Sequence, residues 1–250
     1  MEPRINPFSP GAGAPPPELA GRGPILDYAA ISLDRLRNGF HAKGMILVGL
    51  RGTGKTVVLN RIHNAAQEAG YEAAFLEAHE GKSLAELLVP SLRQILYRLN
   101  LRESVSEKTR RALRVLRSFL GAMGLKAKAG LGDLELELAI DPERGTADSG
   151  DFESDLSELL QAVGEAAAER KRAIALCIDE IQFLPEKEFG ALIMALLFVK
   201  SSLTLASTGS IAIFGIGAPA AIGVGSLAAG LPLMMLAKAK APGFFMSKRQ

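Results

Sequence analysis

The sequence predicts an α/β fold in three layers, a parallel sheet covered by helices on both faces. Three observations predict it. Short bare apolar runs, Met45-Ile46-Leu47-Val48 and Ala173 to Ile178, are too brief for helices and lack a polar face, as strands buried on both sides do. Segments with helical spacing of apolar residues lie between such runs, so the strands are joined by crossovers rather than tight turns. The chain of 250 residues is 48% hydrophobic and 22% charged, enough to bury a sizeable core and unlike a disordered chain.

In chain order, Pro3, Pro7, Pro10, Pro15, Pro16, Pro17 and Pro24 deny helix to most of residues 1–24 and predict an extended lead-in. Asp27 to Asn38 carries apolar residues at helical spacing and stops at Gly39. Met45 to Val48 is the first strand, Thr56 to Ala69 a helix ended by Gly70, and Glu72 to Glu77 a second strand. Ser83 to Asn100 opens with the Ser83/Glu86 spacing of a capping box, and Ser104 to Leu120 repeats it with Ser104/Glu107. Between Leu125 and Ile140 the period falls to two, and two alternating runs joined by Gly130-Leu131-Gly132 predict a hairpin. Asp141 to Asp151 is a polar loop, Phe152 to Arg170 an amphipathic helix, Ala173 to Ile178 a strand, and Pro185 to Val199 a helix with proline at its start. The organisation is therefore a lead-in over 1–24, a core over 25–198 with a helical and hairpin insert over 83–151, and an apolar, glycine-rich tail over 199–250.

Composition closes several routes. With 29 Lys+Arg against 27 Asp+Glu, the net charge of +2 gives no argument for a nucleic-acid or membrane partner. Cys177 is the single cysteine, which excludes a disulfide framework and a multi-cysteine zinc site and fits a reducing compartment. No secretory leader opens the chain, so the expected location is cytoplasmic. His41, His63 and His79 have no metal-ligand spacing with Cys177.

Two motifs carry chemistry. Gly49-Leu50-Arg51-Gly52-Thr53-Gly54-Lys55-Thr56 fits G-x-x-x-x-G-K-[ST] between the first strand and the helix after it. Glycines permit turns that aim successive N–H groups inward as a nest for phosphate oxygens, and the helix start adds its unsatisfied amides and positive dipole end. Lys55 reaches the β- and γ-phosphates as a point charge, and the Thr56 hydroxyl is a magnesium ligand. The second motif is Asp179-Glu180, directly after a bare apolar strand, at the sheet edge where open α/β folds bind ligands. Asp179 is expected to hold Mg²⁺ and Glu180 to polarise the attacking water, against the simpler alternative of a helix cap.

With both motifs placed, the chain resembles an AAA+ P-loop ATPase of the origin-recognition-complex-like and STAND-like branch. Four stretches carry the resemblance: Asn6 to Arg22, Gly49 to Thr56, Ile178 to Leu184 and Glu188 to Leu196. It implies an AAA+ core with Walker A and Walker B motifs, ATP and Mg²⁺ as cofactors, and ATP hydrolysis. It also implies that Glu18-Leu19-Ala20-Gly21-Arg22 lies against the adenine, making Arg22 a nucleotide contact; the family's usual acidic residue after that arginine is replaced by Gly23-Pro24. Gly49, Arg51, Gly52, Thr53, Gly54, Lys55 and Thr56 complete the expected nucleotide site, with Lys55 and Glu180 in catalytic roles and Thr56 and Asp179 on the metal.

Beyond Leu197 the resemblance fails. The family has a further strand ending in a polar sensor residue, a trans-acting arginine and a helical lid. Leu203 to Thr208 is one candidate for the sensor strand, with Ser207 or Thr208 as sensor; Ala229-Gly230-Leu231-Pro232 looks like the tract that follows such a strand, and the two assignments conflict. No arginine occurs between Arg172 and Arg249, so the expected core lacks finger and lid. Ser201 to Ala237 holds no charged residue. This reads as buried core strands over Leu203 to Gly217 with a hydrophobic remnant or an aberrant ending, or as a membrane hairpin turning near Pro219 with Lys200 and Lys238 on the same side.

Three functions follow: ATP binding with Mg²⁺-dependent hydrolysis, a nucleotide-gated switch or adaptor with little hydrolysis, and a DNA-associated ATPase. The last rests on Arg110, Arg114 and Arg117 sharing one helix face, which more commonly is a solvated face. A protein partner is expected, with the insert as its contact.

Overall fold

The computed structural model describes residues 21–38, 40, 42, 44–50, 52–101, 106–124, 141–203, 211–217 and 236–238. Its strands are β1 (Met45–Val48), β2 (Glu72–Glu77), β3 (Ile174–Asp179), β4 (Ile211–Gly217) and β5 (Leu236–Lys238). Its helices are α1 (Gly23–Arg37), α2 (Lys55–Glu68), α3 (Leu84–Leu101), α4 (Glu107–Ala122), α5 (Phe152–Glu169) and α6 (Glu186–Leu203). The five strands form one sheet in the order β2-β3-β4-β1-β5, and every pair is parallel.

Alternation along the strands sorts the core into two halves. Ile174, Leu176 and Ile178 of β3 face a cluster built with Leu88, Leu92 and Leu96 of α3, Leu116 and Phe119 of α4, Leu159 of α5 and Leu192 of α6. Ala175 and Cys177, between them in sequence, face the opposite cluster, formed by Leu33 and Leu36 of α1 and Val58, Leu59 and Ile62 of α2. This is the expected three-layer α/β architecture. Helices α3 and α4 share one core with β3 and α5 rather than standing apart from the sheet.

Several boundaries differ from those the sequence predicts. α1 begins at Gly23 rather than Asp27, with Pro24 in its first turn, where a missing N–H has no intrahelical partner to lose. α4 is capped by Ser106, whose side chain accepts from the Thr109 amide at 3.2 Å, rather than by Ser104. The polar loop after residue 140 is knitted to its surroundings: Asp155, at the start of α5, accepts from the Ser149 and Gly150 amides at 3.0 and 2.9 Å. The hairpin expected over 125–140 lies outside the described residues.

The largest correction concerns the tail. α6 continues through Leu203, so Leu203 to Thr208 does not make a strand starting at Leu203; residues 204–208 lie outside the described residues. β4 instead occupies 211–217 and pairs on both edges, with β3 on one side and β1 on the other. Residue 198, the end of the expected core, lies within α6. A strand with both edges paired also replaces the membrane hairpin over this stretch, and no helix among the described residues is long and apolar enough to cross a membrane. No helix follows β4 among the described residues.

Candidate nucleotide site

The site forms where the carboxyl ends of β1, β3 and β4 meet. Val48 pairs with Gly217 and Ile178 with Gly215, so the loop after β1 and the acids ending β3 emerge on the same edge. β4 lies between their strands, which opens a crevice about two strand spacings, roughly 10 Å, across.

The loop from Gly49 to Gly54 turns on glycine. Gly52 and Gly54 have φ of +80° and +75°, which side-chain-bearing residues adopt only under strain. A Cβ at either would meet no atom within 4 Å, so the backbone dihedral rather than crowding requires glycine there, and the space beside the loop is open. Gly54 is also the N-cap of α2 and offers no side chain to its first amides. Among the described residues, no backbone acceptor takes the amides of Gly54, Lys55, Thr56 or Val57. The first amides of a helix lack intrahelical partners and are the donors that an anion at a helix start recruits.

Side chains close the loop on itself. Lys55 Nζ donates to the Gly49 and Leu50 carbonyls, each at 2.9 Å, and Thr53 Oγ1 donates to the Leu50 carbonyl at 2.9 Å. Arg22, just before α1, donates from Nη2 to the Thr53 carbonyl at 2.5 Å. Arg51 lies outside the described residues.

The structure brings the two motifs together. Thr56, in the first turn of α2, stands beside Asp179, near enough for its hydroxyl to favour the charged form of that carboxylate. Asp179 is only 4% exposed, and burial pushes its carboxyl above the ordinary range; the neighbouring Thr56 hydroxyl and the bond from the Glu180 amide at 2.7 Å oppose that shift, while Glu180 and Glu77 reinforce it. A buried carboxylate facing a neutral hydroxyl and two further acids is a hard oxygen site short of positive charge. Among the described residues, no group of three or more His, Cys, Asp and Glu side chains holds a metal by itself. A buried carboxylate with a hydroxyl beside it is a pair of hard oxygen donors, the kind Mg²⁺ takes when waters and substrate phosphates complete its shell.

Glu180 stands next in the chain with φ +52° and ψ +37°, an unusual backbone for a side-chain-bearing residue and one that concentrates at functional turns. Its carboxylate accepts a hydrogen bond from Gln182 Nε2. Two residues here escaped sequence reasoning. Gln182 gave no signal beyond lying two positions after the acid. Glu77 was open to the same edge logic as Asp179, since it ends β2 and pairs in register with Asp179.

Residues 18–204 match the family model described as an AAA ATPase domain, three-quarters of the chain. The chain belongs to the AAA ATPase domain family. Among solved structures, the chain is similar to Cdc6p from Pyrobaculum aerophilum at 20% identity, covering 84% of this chain and 42% of that one, with a TM-score of 0.46. The Aeropyrum pernix ORC2 protein, solved as ADPNP and ADP complexes, is 15% identical over 82% of this chain and 42% of that chain, with a TM-score of 0.41. The Aeropyrum pernix ORC1 protein in complex with DNA is 18% identical over 85% and 42%, with a TM-score of 0.36. The AAA ATPase chain thus spans less than half the length of these proteins. No curated protein matches it.

Of the three arginines expected to share a face of α4, Arg114 is ion-paired. Arg114 donates to Glu143 and Glu107 at 3.3 and 3.1 Å, and its neighbour Arg111 to Glu143 and Glu165 at 2.8 and 3.3 Å. The carboxylates hold both guanidiniums in ion pairs and raise their pKa values further.

Proposed function

We propose that this AAA ATPase binds ATP with Mg²⁺ and hydrolyses its terminal phosphoanhydride. The observation that carries the reading is the juxtaposition, on one sheet edge, of the glycine-turned loop before α2 and buried Asp179, with Thr56 beside that carboxylate. The loop amides and Lys55 hold the triphosphate, with Lys55 exchanging its two carbonyl acceptors for phosphate oxygens. Thr56 and Asp179 hold the magnesium ion, which when bound screens charge building on the phosphate oxygens. Glu180, released from Gln182, accepts a hydrogen bond from water in line with the γ-phosphorus. Water adds to that phosphorus as its bond to the bridging oxygen breaks; ADP and inorganic phosphate leave, and the water proton passes to solvent by way of the carboxylate. A cytoplasmic setting supplies the ATP.

The test pairs two variants. Glu180→Gln should bind the nucleotide as the parent does and lose turnover, while Lys55→Ala should lose affinity. Parental turnover in Glu180→Gln removes that residue from the mechanism.

A second reading is a nucleotide-gated switch with little turnover of its own. One observation favours it: Lys55 rests on the Gly49 and Leu50 carbonyls and Glu180 on Gln182, so both side chains are held by near neighbours in the chain. A protein partner would then complete the site. Rapid turnover by the purified chain alone counts against this reading.

A further inference from the structure

We propose that Arg22 is a positioning residue of the phosphate loop, which aims the Gly54 amide into the nest by gripping the carbonyl on the other side of the same peptide group. The inference rests on the nucleotide reading above and departs from the adenine contact expected of this arginine.

Peptide planarity carries the argument. No peptide bond here is cis, so the Thr53 carbonyl and the Gly54 N–H point in opposite directions from one rigid plane. That plane is bounded by Thr53 on one side and by Gly54, at φ +75°, on the other, so a glycine leaves it free to swing. Arg22 Nη2 takes the carbonyl at 2.5 Å from outside the loop and so turns the amide inward. Thr53 itself is pinned separately, through its hydroxyl to the Leu50 carbonyl at 2.9 Å.

The grip is useful only if Arg22 is itself immobile, and α1 makes it so. The Ile25 and Leu26 amides both bond to the Arg22 carbonyl at 3.1 Å. α1 then lies along α2, with Leu33 and Leu36 in one cluster with Val58, Leu59 and Ile62, and the Tyr71 hydroxyl donates to the Leu33 carbonyl at 2.5 Å. At the far end, Arg37 Nη1 donates to the Ala69 carbonyl at 3.2 Å, just past the last turn of α2. α1 has 15 residues and α2 has 14, about 22 and 21 Å at the helical rise. The nearly equal lengths let one arginine meet the chain just before α2 and the other just after it. α1 is thus a strut along α2, and its leading arginine sets a phosphate-loop peptide.

The experiment measures the affinity of the full chain for two probes, ATP and inorganic tripolyphosphate, in the parent, Arg22→Ala and Arg22→Lys. Amide spectra of the ligand-free proteins report the Gly54 resonance. The expected result is a loss of about tenfold for both probes in Arg22→Ala, because a charge-assisted bond that orients the nest acts on phosphate alone. The Gly54 amide should shift before any ligand is added, while resonances of α3 to α5 stay in place, and Arg22→Lys should recover part of both effects. Loss of ATP affinity with tripolyphosphate binding intact would instead assign Arg22 to the base and overturn the proposal. So would an unmoved Gly54 amide, which would leave Arg22 a direct phosphate ligand at most. If the parent binds neither probe, the nucleotide reading itself fails, and that outcome is distinct from either.

Discussion

Removing the Lys55 ammonium is the sharpest perturbation of the site, and the structure limits how large its effect can be. Truncating one partner of a buried, hydrogen-bonded charge pair costs up to about 5 kcal/mol. Lys55 is not free before nucleotide arrives, because its Nζ already serves the Gly49 and Leu50 carbonyls at 2.9 Å each. Surrendering two such bonds offsets about 1 kcal/mol apiece, leaving roughly 3 kcal/mol. Lys55→Ala should therefore weaken Mg·ATP binding by on the order of a hundredfold rather than by thousands. Competition titration against a fluorescent ATP analogue at fixed ionic strength measures it, with circular dichroism confirming that the variant folds. A dissociation constant within about threefold of the parent, corresponding to roughly 0.7 kcal/mol, would refute the exchange of carbonyls for phosphate and the site with it.

Four other outcomes are expected. Asp179→Asn should stop Mg²⁺ from strengthening nucleotide binding, yet raise the melting temperature of the ligand-free protein near neutral pH. Burial raises the Asp179 carboxyl, so the folded state retains its proton longer than the unfolded state and stability falls as pH rises through the carboxylate range; a melting-temperature series against pH should lose that slope in the variant. Burial likewise pushes the Tyr71 hydroxyl up to about 12 from 10.0, so stability should fall as pH climbs between those values and the slope should vanish in Tyr71→Phe. Phe119→Ala should destabilise by about 3–5 kcal/mol in urea titration, since that ring is wholly buried among α3, α4 and α5; a loss below about 1 kcal/mol would show that the insert helices do not share the sheet's core. Cys177, whose thiol burial pushes up to about 12, should resist alkylation until the chain is unfolded, as a timed thiol-labelling assay will show.

What the sequence revealed tracks how locally each feature is determined. β1, β2 and β3 announce themselves because strands buried on both faces need unbroken apolar runs, and Met45 to Val48 and Ile174 to Ile178 have few polar residues to confuse them. The phosphate loop is legible because its backbone demands glycine at fixed positions. β4 falls inside the stretch read as buried core strands over Leu203 to Gly217, but glycine blurs its bounds. Ile211 to Gly217 carries Gly215 and Gly217, which weaken a strand on local grounds, and only pairing with β1 and β3 decides its state. Pro24 misled in the opposite direction, since the residue that breaks helix interiors is well suited to a first turn. At the site, Thr56 and Asp179 are 123 positions apart, and nothing local joins them until the sheet does. The Arg22 grip on Thr53 spans 31 positions and depends on two helices of matched length.

Placing β4 in the middle of the sheet makes a glycine-dotted stretch the keystone of the nucleotide pocket. The strands that deliver the phosphate loop and the acidic pair never touch, and their spacing is whatever this intervening plank imposes. Shortened versions of the protein cut at the last charged helix would keep every motif residue and lose the spacer that sets them apart. Swapping the plank, by contrast, offers a way to widen or narrow the mouth of the site without altering one ligand-facing side chain.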